Sequence, residues 1–283
     1  AGNELGRDAP PAPIMGVPGA AARYVRNGGG EATQKSVRRT AFAELRIWLV
    51  IVAILHAVQA IVFLARGGIA SVPVTASFSN AAPGLLAIPQ AKVLFSVNLA
   101  STTALYVGLE AAGLALLASV GFDRYSTQIR RRAGSLRWLA MGIPAVIMYL
   151  LIAMIAGVTD LAALLMLTSS IVACFALGSA AEANVRTTGS LSWTLFGFGC
   201  FAGGMPWLVI VLYAAMAGGA YPSFLVALVA LQMVATLAFP LNLAITNSRF
   251  GWSALTGEVI FVLISLMAKT LLAWMVFGFA SLE

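Results

Sequence analysis

Seven apolar stretches dominate the chain, at roughly 45–65, 93–119, 137–158, 161–181, 193–217, 222–246 and 257–280. Each approaches the ~20 residues that a helix needs to cross the hydrocarbon of a bilayer. In lipid the backbone must satisfy its own hydrogen bonds, so each stretch reads as a transmembrane helix. Composition agrees: 60% of the residues are hydrophobic and 10% charged, where a soluble domain carries about 25% charged. An all-α integral membrane protein is expected, and a water-soluble fold is excluded. Pro144, Pro206 and Pro240 fall inside spans, where neighbouring helices can satisfy the carbonyls that a proline frees. No convincing internal repeat is present, which argues against a transporter built from two symmetric halves.

Residues 1–44 are polar and rich in Gly, Ala and Pro, with no apolar run. They are expected to form a retained, mostly disordered tail, with the transmembrane domain at 45–280. The connection from Arg66 to Ala91 is long. Within it Val72, Val74, Ala76 and Phe78 alternate with Pro73, Thr75 and Ser77, ahead of turn residues at 80–84. That period of two predicts a short β-hairpin outside the bilayer, between the first and second spans.

Orientation follows from the basic residues, which accumulate in cytoplasmic loops. Fourteen of the 17 lysines and arginines fall in the N-terminal tail or beside the loops that follow spans two, four and six. Arg66 and Lys92 fall on the other side, and the last is Lys269. The N-terminus is therefore expected in the cytoplasm and the C-terminus outside a cell membrane. The net charge of +7 is a topology signal whose natural contact is anionic lipid. No folded basic domain presents it to nucleic acid.

Cys174 and Cys200 lie inside spans and read as small apolar fillers, with no disulfide. His56 is the single histidine, and without a Cys/His cluster no metal site is expected. Neither a glycine-rich phosphate loop nor a nucleophile–base arrangement is present, so an enzyme is not expected.

Ionisable residues deep in a membrane are costly and mark function. Three stand out: His56, Glu110 and Lys269. Lys269 lies 11 residues beyond Glu258 and about as far from the outer end of its span. That is ~17 Å of helix on either side, farther than a lysine can snorkel. Its charge must be paired, neutralised or consumed by chemistry. Glu110 stands 12 residues before Phe122, and Lys269 stands 12 after Gly257, so the two share a depth. In a closed ring, with spans two and seven adjacent, they would meet. The pair could be structural, or Glu110 could be protonated and bonded to a hydroxyl. A desolvated lysine is also the residue that condenses with an aldehyde to give a Schiff base.

The seventh span, GEVIFVLISLMAKTLLAWMVF, closely resembles the retinal-attachment helix of the heliorhodopsin family. LFGFGCFAGGMPW at 195–207 resembles that family too, as does LHAVQ at 55–59, with RY at 124–125 and RW at 137–138 at the family's spacing. The resemblance covers roughly 45–280 and implies a seven-helix, rhodopsin-like bundle of inverted orientation, in agreement with the basic-residue count. It implies all-trans-retinal on Lys269, with Ser265 one turn away. His56 and Gln59 match a polar pair in the inner half of the bundle, and Arg137 and Glu258 match an ion pair at the cytoplasmic ends of spans three and seven. Near the headgroups such a pair should stay hydrated and contribute ~1 kcal/mol or less. Trp207 and Met267 are the favoured pocket residues, ahead of Trp274, Phe201, Phe239 and Met205. The family forms dimers through spans four and five and the outer loop. It is regarded as sensory or regulatory, which leaves room for a cytoplasmic signalling partner.

Two positions depart from the family pattern. Its counterion glutamate, three residues after the arginine of RW, is here Ala140, and its usual second-span histidine is Gly113. Glu110, at the depth of Lys269, is then the expected replacement counterion. A light-driven or light-gated ion translocator is a competing reading. Pumping, however, needs carboxylates on both sides of the Schiff base, and only Glu110 and Asp160 are on offer. A scaffold that has lost its pigment is a third reading, kept open by Ala140.

Overall fold

The computed structural model describes residues 30–79, 89–132, 134–217, 222–248 and 251–280. Among them lie α1 (Gly30–Arg66), β1 (Ser71–Phe78), β2 (Gln90–Asn98), α2 (Leu99–Ala118) and α3 (Phe122–Arg130). Then follow α4 (Ser135–Ile155), α5 (Leu161–Thr188), α6 (Trp193–Ala217), α7 (Ser223–Thr246) and α8 (Ala254–Ala280). Seven of these helices, all but α3, are long and apolar enough to cross a bilayer. The seven spans expected from hydropathy are all present.

Two boundaries differ from the sequence expectation. Helix α1 begins at Gly30, so residues 30–44 are helical where a disordered tail was expected. Ala, Gln, Lys, Arg and Glu fill that segment after the last tail proline, and all favour helix. Residues 1–29 lie outside the described residues. The second apolar stretch, read from 93, splits: Gln90–Asn98 is strand and the helix starts at Leu99. Val93, Leu94, Phe95 and Val97 are as apolar as the helix that follows, so hydropathy runs through the join. Asn98 makes the break, because its side chain accepts from the Ser101 N–H at 2.9 Å as an N-cap.

The expected hairpin is an antiparallel β1–β2 pair running from Ser71↔Asn98 to Phe78↔Gln90, with a register shift after Val74. Its turn, including 80–84, lies outside the described residues. Val74 is buried, and the Thr75 N–H donates to the Thr159 carbonyl at 2.9 Å, tying the hairpin to the α4–α5 connection. At that connection the Asp160 carboxylate caps α5 by accepting from the Ala162 and Ala163 N–H groups.

The spans close into a ring in which α1 packs on α2 and α8, α2 on α4, α4 on α5, α5 on α6, α6 on α7, and α7 on α8. Helices α2 and α8 also touch directly, the adjacency that the depth argument for Glu110 and Lys269 requires. Two apolar clusters fill the bundle. The one at the hairpin end holds Phe63, Tyr106, Met148, Trp207 and Leu272, and the one at the arginine-rich end holds Leu49, Leu114, Tyr125, Met141 and Val262. Glu110 and Lys269 lie between them. The outward faces carry Ile54, Ile61, Met166, Phe201, Leu208 and Val234, suited to lipid tails.

Candidate functional site

Lys269 is 1% exposed and both Glu110 and Ser265 are 0% exposed. The Lys269 Nζ donates to Glu110 Oε2 at 2.5 Å, to Ser265 Oγ at 2.8 Å and to the Met141 carbonyl at 3.2 Å. An ammonium has three N–H donors, and here each meets an acceptor. The Ser265 hydroxyl in turn donates to Glu110 Oε1 at 2.6 Å. Residues four apart share a helix face, so 265 and 269 project together from α8. The same spacing aligns Tyr106 with Glu110 on α2, and the Tyr106 hydroxyl donates to the Lys269 carbonyl at 2.9 Å. From α7 the Gln232 amide donates to the Ala268 carbonyl at 3.0 Å. Lysine, serine and glutamate were legible in the sequence. Tyr106, Gln232 and the Met141 carbonyl were not, since two read as ordinary span residues and a backbone acceptor has no sequence signature.

On α1, His56 is fully buried and its Nδ1 meets Gln59 Oε1 at 3.2 Å. The Gln59 amide donates to Thr270 Oγ1 at 3.0 Å, beside Lys269. His56 Nε2 has no protein partner among the described residues. The two α1 residues therefore form the polar pair expected of them.

From Lys269 a cavity of ≈ 220 Å³ extends between α4, α5, α6 and α7. Trp207, Tyr149, Phe175, Phe239 and Met148 line its length, and Gly199, Gly203 and Gly204 thin its α6 wall. Trp207 packs edge-on against Tyr149, with ring centroids 5.5 Å apart. Cys174 and Cys200 are free thiols that also line it. Met267 does not: it is 68% exposed and faces outward. Two residues on a helix are about 200° apart, so burying Lys269 turns Met267 away. Trp274 and Phe201 are exposed as well, and neither they nor Met205 line the cavity.

A buried lysine thus lines a largely apolar cavity, with a carboxylate and a hydroxyl at its nitrogen. The model of the heliorhodopsin family matches residues 45–280. The chain belongs to the heliorhodopsin family. Comparison with curated proteins gave no match. Membership in the family makes the chain a rhodopsin-like membrane photoreceptor with a retinal chromophore. The residues present fit that group: the walls are mostly apolar and aromatic, as a polyene requires, with the Lys269 amine and the Arg137 guanidinium as the charged groups on the lining.

The two departures from the heliorhodopsin pattern turn out to be in contact. A Cβ built on Gly113 would stand 2.8 Å from the Ala140 carbonyl oxygen and 3.2 Å from its Cα and Cβ. Loss of the large side chains at 113 and 140 lets α2 and α4 pack backbone to backbone one turn from Glu110.

At the arginine-rich end of this heliorhodopsin, Arg137 bonds Glu258 Oε1 as the resemblance implied, but it also bonds Glu182 Oε2 at 2.6 Å. The Trp138 indole donates to Glu182 Oε2 at 2.9 Å, and the Tyr125 hydroxyl donates to Glu258 Oε2 at 2.7 Å. Burial, followed by the neighbouring Glu258 charge, pushes the Tyr125 phenol well above its ordinary range and keeps it a donor. The cluster joins α3, α4, α5 and α8. Glu182 was missed because the fourth stretch was ended at 181, whereas α5 continues to Thr188 and stops at the left-handed Gly189, φ 77°.

The expectation of a hydrated, weak pair is overturned, since Arg137 and Glu258 are only 3% and 4% exposed. Removing one partner of a buried pair leaves an uncompensated charge, at a cost of ~3–5 kcal/mol. Arg137→Met, which strands two carboxylates, is therefore expected to lose about 3 kcal/mol or more in reversible denaturation in mixed micelles. A loss below about 1 kcal/mol would return the pair to the hydrated class.

Proposed function

We propose that the protein is a light sensor that binds all-trans-retinal as a Schiff base on Lys269, with Glu110 as counterion in place of the glutamate missing at Ala140. The observation that carries this reading is the buried Lys269–Glu110–Ser265 constellation at the largely apolar cavity. Retinal so bound supplies light absorption and a photoisomerisable polyene. The protein's own residues do the rest. Lys269 provides the amine, Glu110 provides the anion that stabilises a buried cation, and Ser265 bridges the two while holding Glu110 in place. Trp207, Tyr149 and Phe239 exclude water and fix the polyene. Arg137 lines the same cavity, so its cluster on α3, α4, α5 and α8 is placed to pass a change of shape to the arginine-rich end.

That end is proposed to be cytoplasmic, on the strength of the arginine distribution, with a signalling partner on that side. The exposed outer faces of α5 and α6 and the apolar strand β2 support a homodimer. No substrate is turned over in this reading. The test is an absorption spectrum of the purified protein with all-trans-retinal, followed across pH. A visible band that shifts to the near ultraviolet on raising the pH is expected, and a spectrum of free retinal alone would sink the proposal.

Net ion transport is not expected, because a pump needs a carboxylate relay to each side of the Schiff base. Asp160 is engaged as the cap of α5, and Glu182 and Glu258 are held by Arg137. Illuminated liposomes should show no pH change that an uncoupler abolishes. A reproducible photocurrent would move the protein to the translocator class.

A further inference from the structure

We propose that Pro144 and Gly113 are positioning residues that hold the Met141 carbonyl against the Lys269 nitrogen as its third acceptor. A regular helix hides its carbonyls in the ladder, where each meets the N–H four residues on. Pro144 has no N–H for the Ala140 carbonyl, and its ring pushes that carbonyl off the helix axis. An Ala140 oxygen pushed outward needs space on α2, and it lies only 2.8 Å from where a Cβ at position 113 would stand, too close for one. Glycine is the residue that permits this approach. The next carbonyl along, that of Met141, then faces Lys269 and accepts from Nζ at 3.2 Å.

The other groups around Nζ are accounted for. Helix α2 contributes Glu110 and α8 contributes Ser265. The His56 imidazole of α1 is within electrostatic reach of both Lys269 and Glu110. The α7 side chain that reaches this turn, Gln232, is neutral and binds the Ala268 backbone.

The chemistry of a backbone acceptor differs from that of a carboxylate. A carbonyl stabilises a cation through its dipole and never takes its proton. Condensation of the Lys269 ammonium with an aldehyde gives a protonated imine and one water, and reduces three N–H donors to one. Glu110, Ser265 and Met141 then compete for a single hydrogen. The neutral carbonyl lets that hydrogen leave Glu110 without losing an acceptor. This consequence rests on the retinal reading above, whereas the placement of the carbonyl at Nζ does not.

The unloaded protein tests the placement. Lys269 is alkylated by a small aldehyde with cyanoborohydride, and the adduct is quantified by mass spectrometry. Only the neutral amine reacts, so removing an acceptor of the ammonium raises the rate at pH 7. Pro144→Ala, which restores the ladder, and Gly113→Ala, which pushes α4 off α2, should each raise it about tenfold, the size of one hydrogen bond to a charged group. The gain should shrink as the pH rises and vanish only well above the ordinary lysine value of ~10.4, once every variant is neutral. Glu110→Gln is the positive control. Gly197→Ala, where a Cβ meets open space, should match the parent.

Pro144→Ala restores one hydrogen bond inside a helix that already runs from Ser135 to Ile155 and is expected to fold, so it decides the matter if Gly113→Ala does not. Unchanged rates in Pro144→Ala beside a raised rate in Glu110→Gln would overturn the proposal. So would a gain of equal size at every pH, which would mean easier access in place of a lost acceptor. The expected rates in a protein that forms no pigment would uphold the placement and sink the retinal reading instead.

Discussion

Lys269→Ala is expected to leave a folded protein that forms no pigment with all-trans-retinal. Among the described residues that line the cavity Lys269 carries the only amine, so its loss removes the covalent link and not merely a contact. Folding itself needs a separate argument. The substitution strands Glu110, whose carboxylate is fully buried and would keep only the Ser265 hydroxyl. Breaking a buried pair costs ~3–5 kcal/mol when the remaining charge stays. A carboxyl can escape most of that by taking up a proton. The double variant Lys269→Ala with Glu110→Gln removes both charges and should regain stability, because replacing a buried pair by neutral groups is often harmless. The decisive measurement is the visible band together with borohydride trapping of the imine. A visible band retained in Lys269→Ala, with a trapped adduct on another residue, would overturn the assignment.

The polar layer was legible in the sequence for a physical reason: charge in hydrocarbon is rare, and helical rise converts residue number into depth. Lys269 and Glu110 could be matched in depth without knowing any contact. Azimuth was less accessible. Met267 was chosen for its closeness to Lys269 along the chain, yet it lies on the opposite face of α8. Hydropathy likewise could not separate β2 from α2, because Val93–Val97 is as apolar as the span behind it. The cluster around Arg137 was half read. Its Glu258 partner came from the resemblance, while Glu182 lay one residue beyond the assumed end of its helix. The contact between Gly113 and Ala140 had no sequence signal of its own, since two absences in separate helices become one feature only when the helices touch.

Glu110→Gln is expected to move the pigment band from the visible to the near ultraviolet at pH 7. The carboxylate lies 2.5 Å from the Lys269 nitrogen in a layer sealed by apolar clusters on both sides, where an unpaired cation is poorly tolerated. Each unit by which Glu110 raises the proton affinity of the imine corresponds to ~1.4 kcal/mol, and an opposite charge at this distance supplies one to three such units. Glutamine keeps the shape and a carbonyl acceptor but removes the charge. Ser265 and the Met141 carbonyl remain, and as neutral dipoles they are not expected to hold the proton at pH 7. A shift to the red would mean that an anion from solution had entered. Restoring the family's glutamate by Ala140→Glu alone is not expected to strengthen the pigment. Position 140 faces Gly113 at backbone contact, one turn from Glu110, so two carboxylates would crowd one site and share a proton. In the Glu110→Gln background the same Ala140→Glu change should bring the visible band back, because a single carboxylate again faces the nitrogen. An absorption maximum and an imine titration both left unchanged by Glu110→Gln would show that the counterion lies elsewhere.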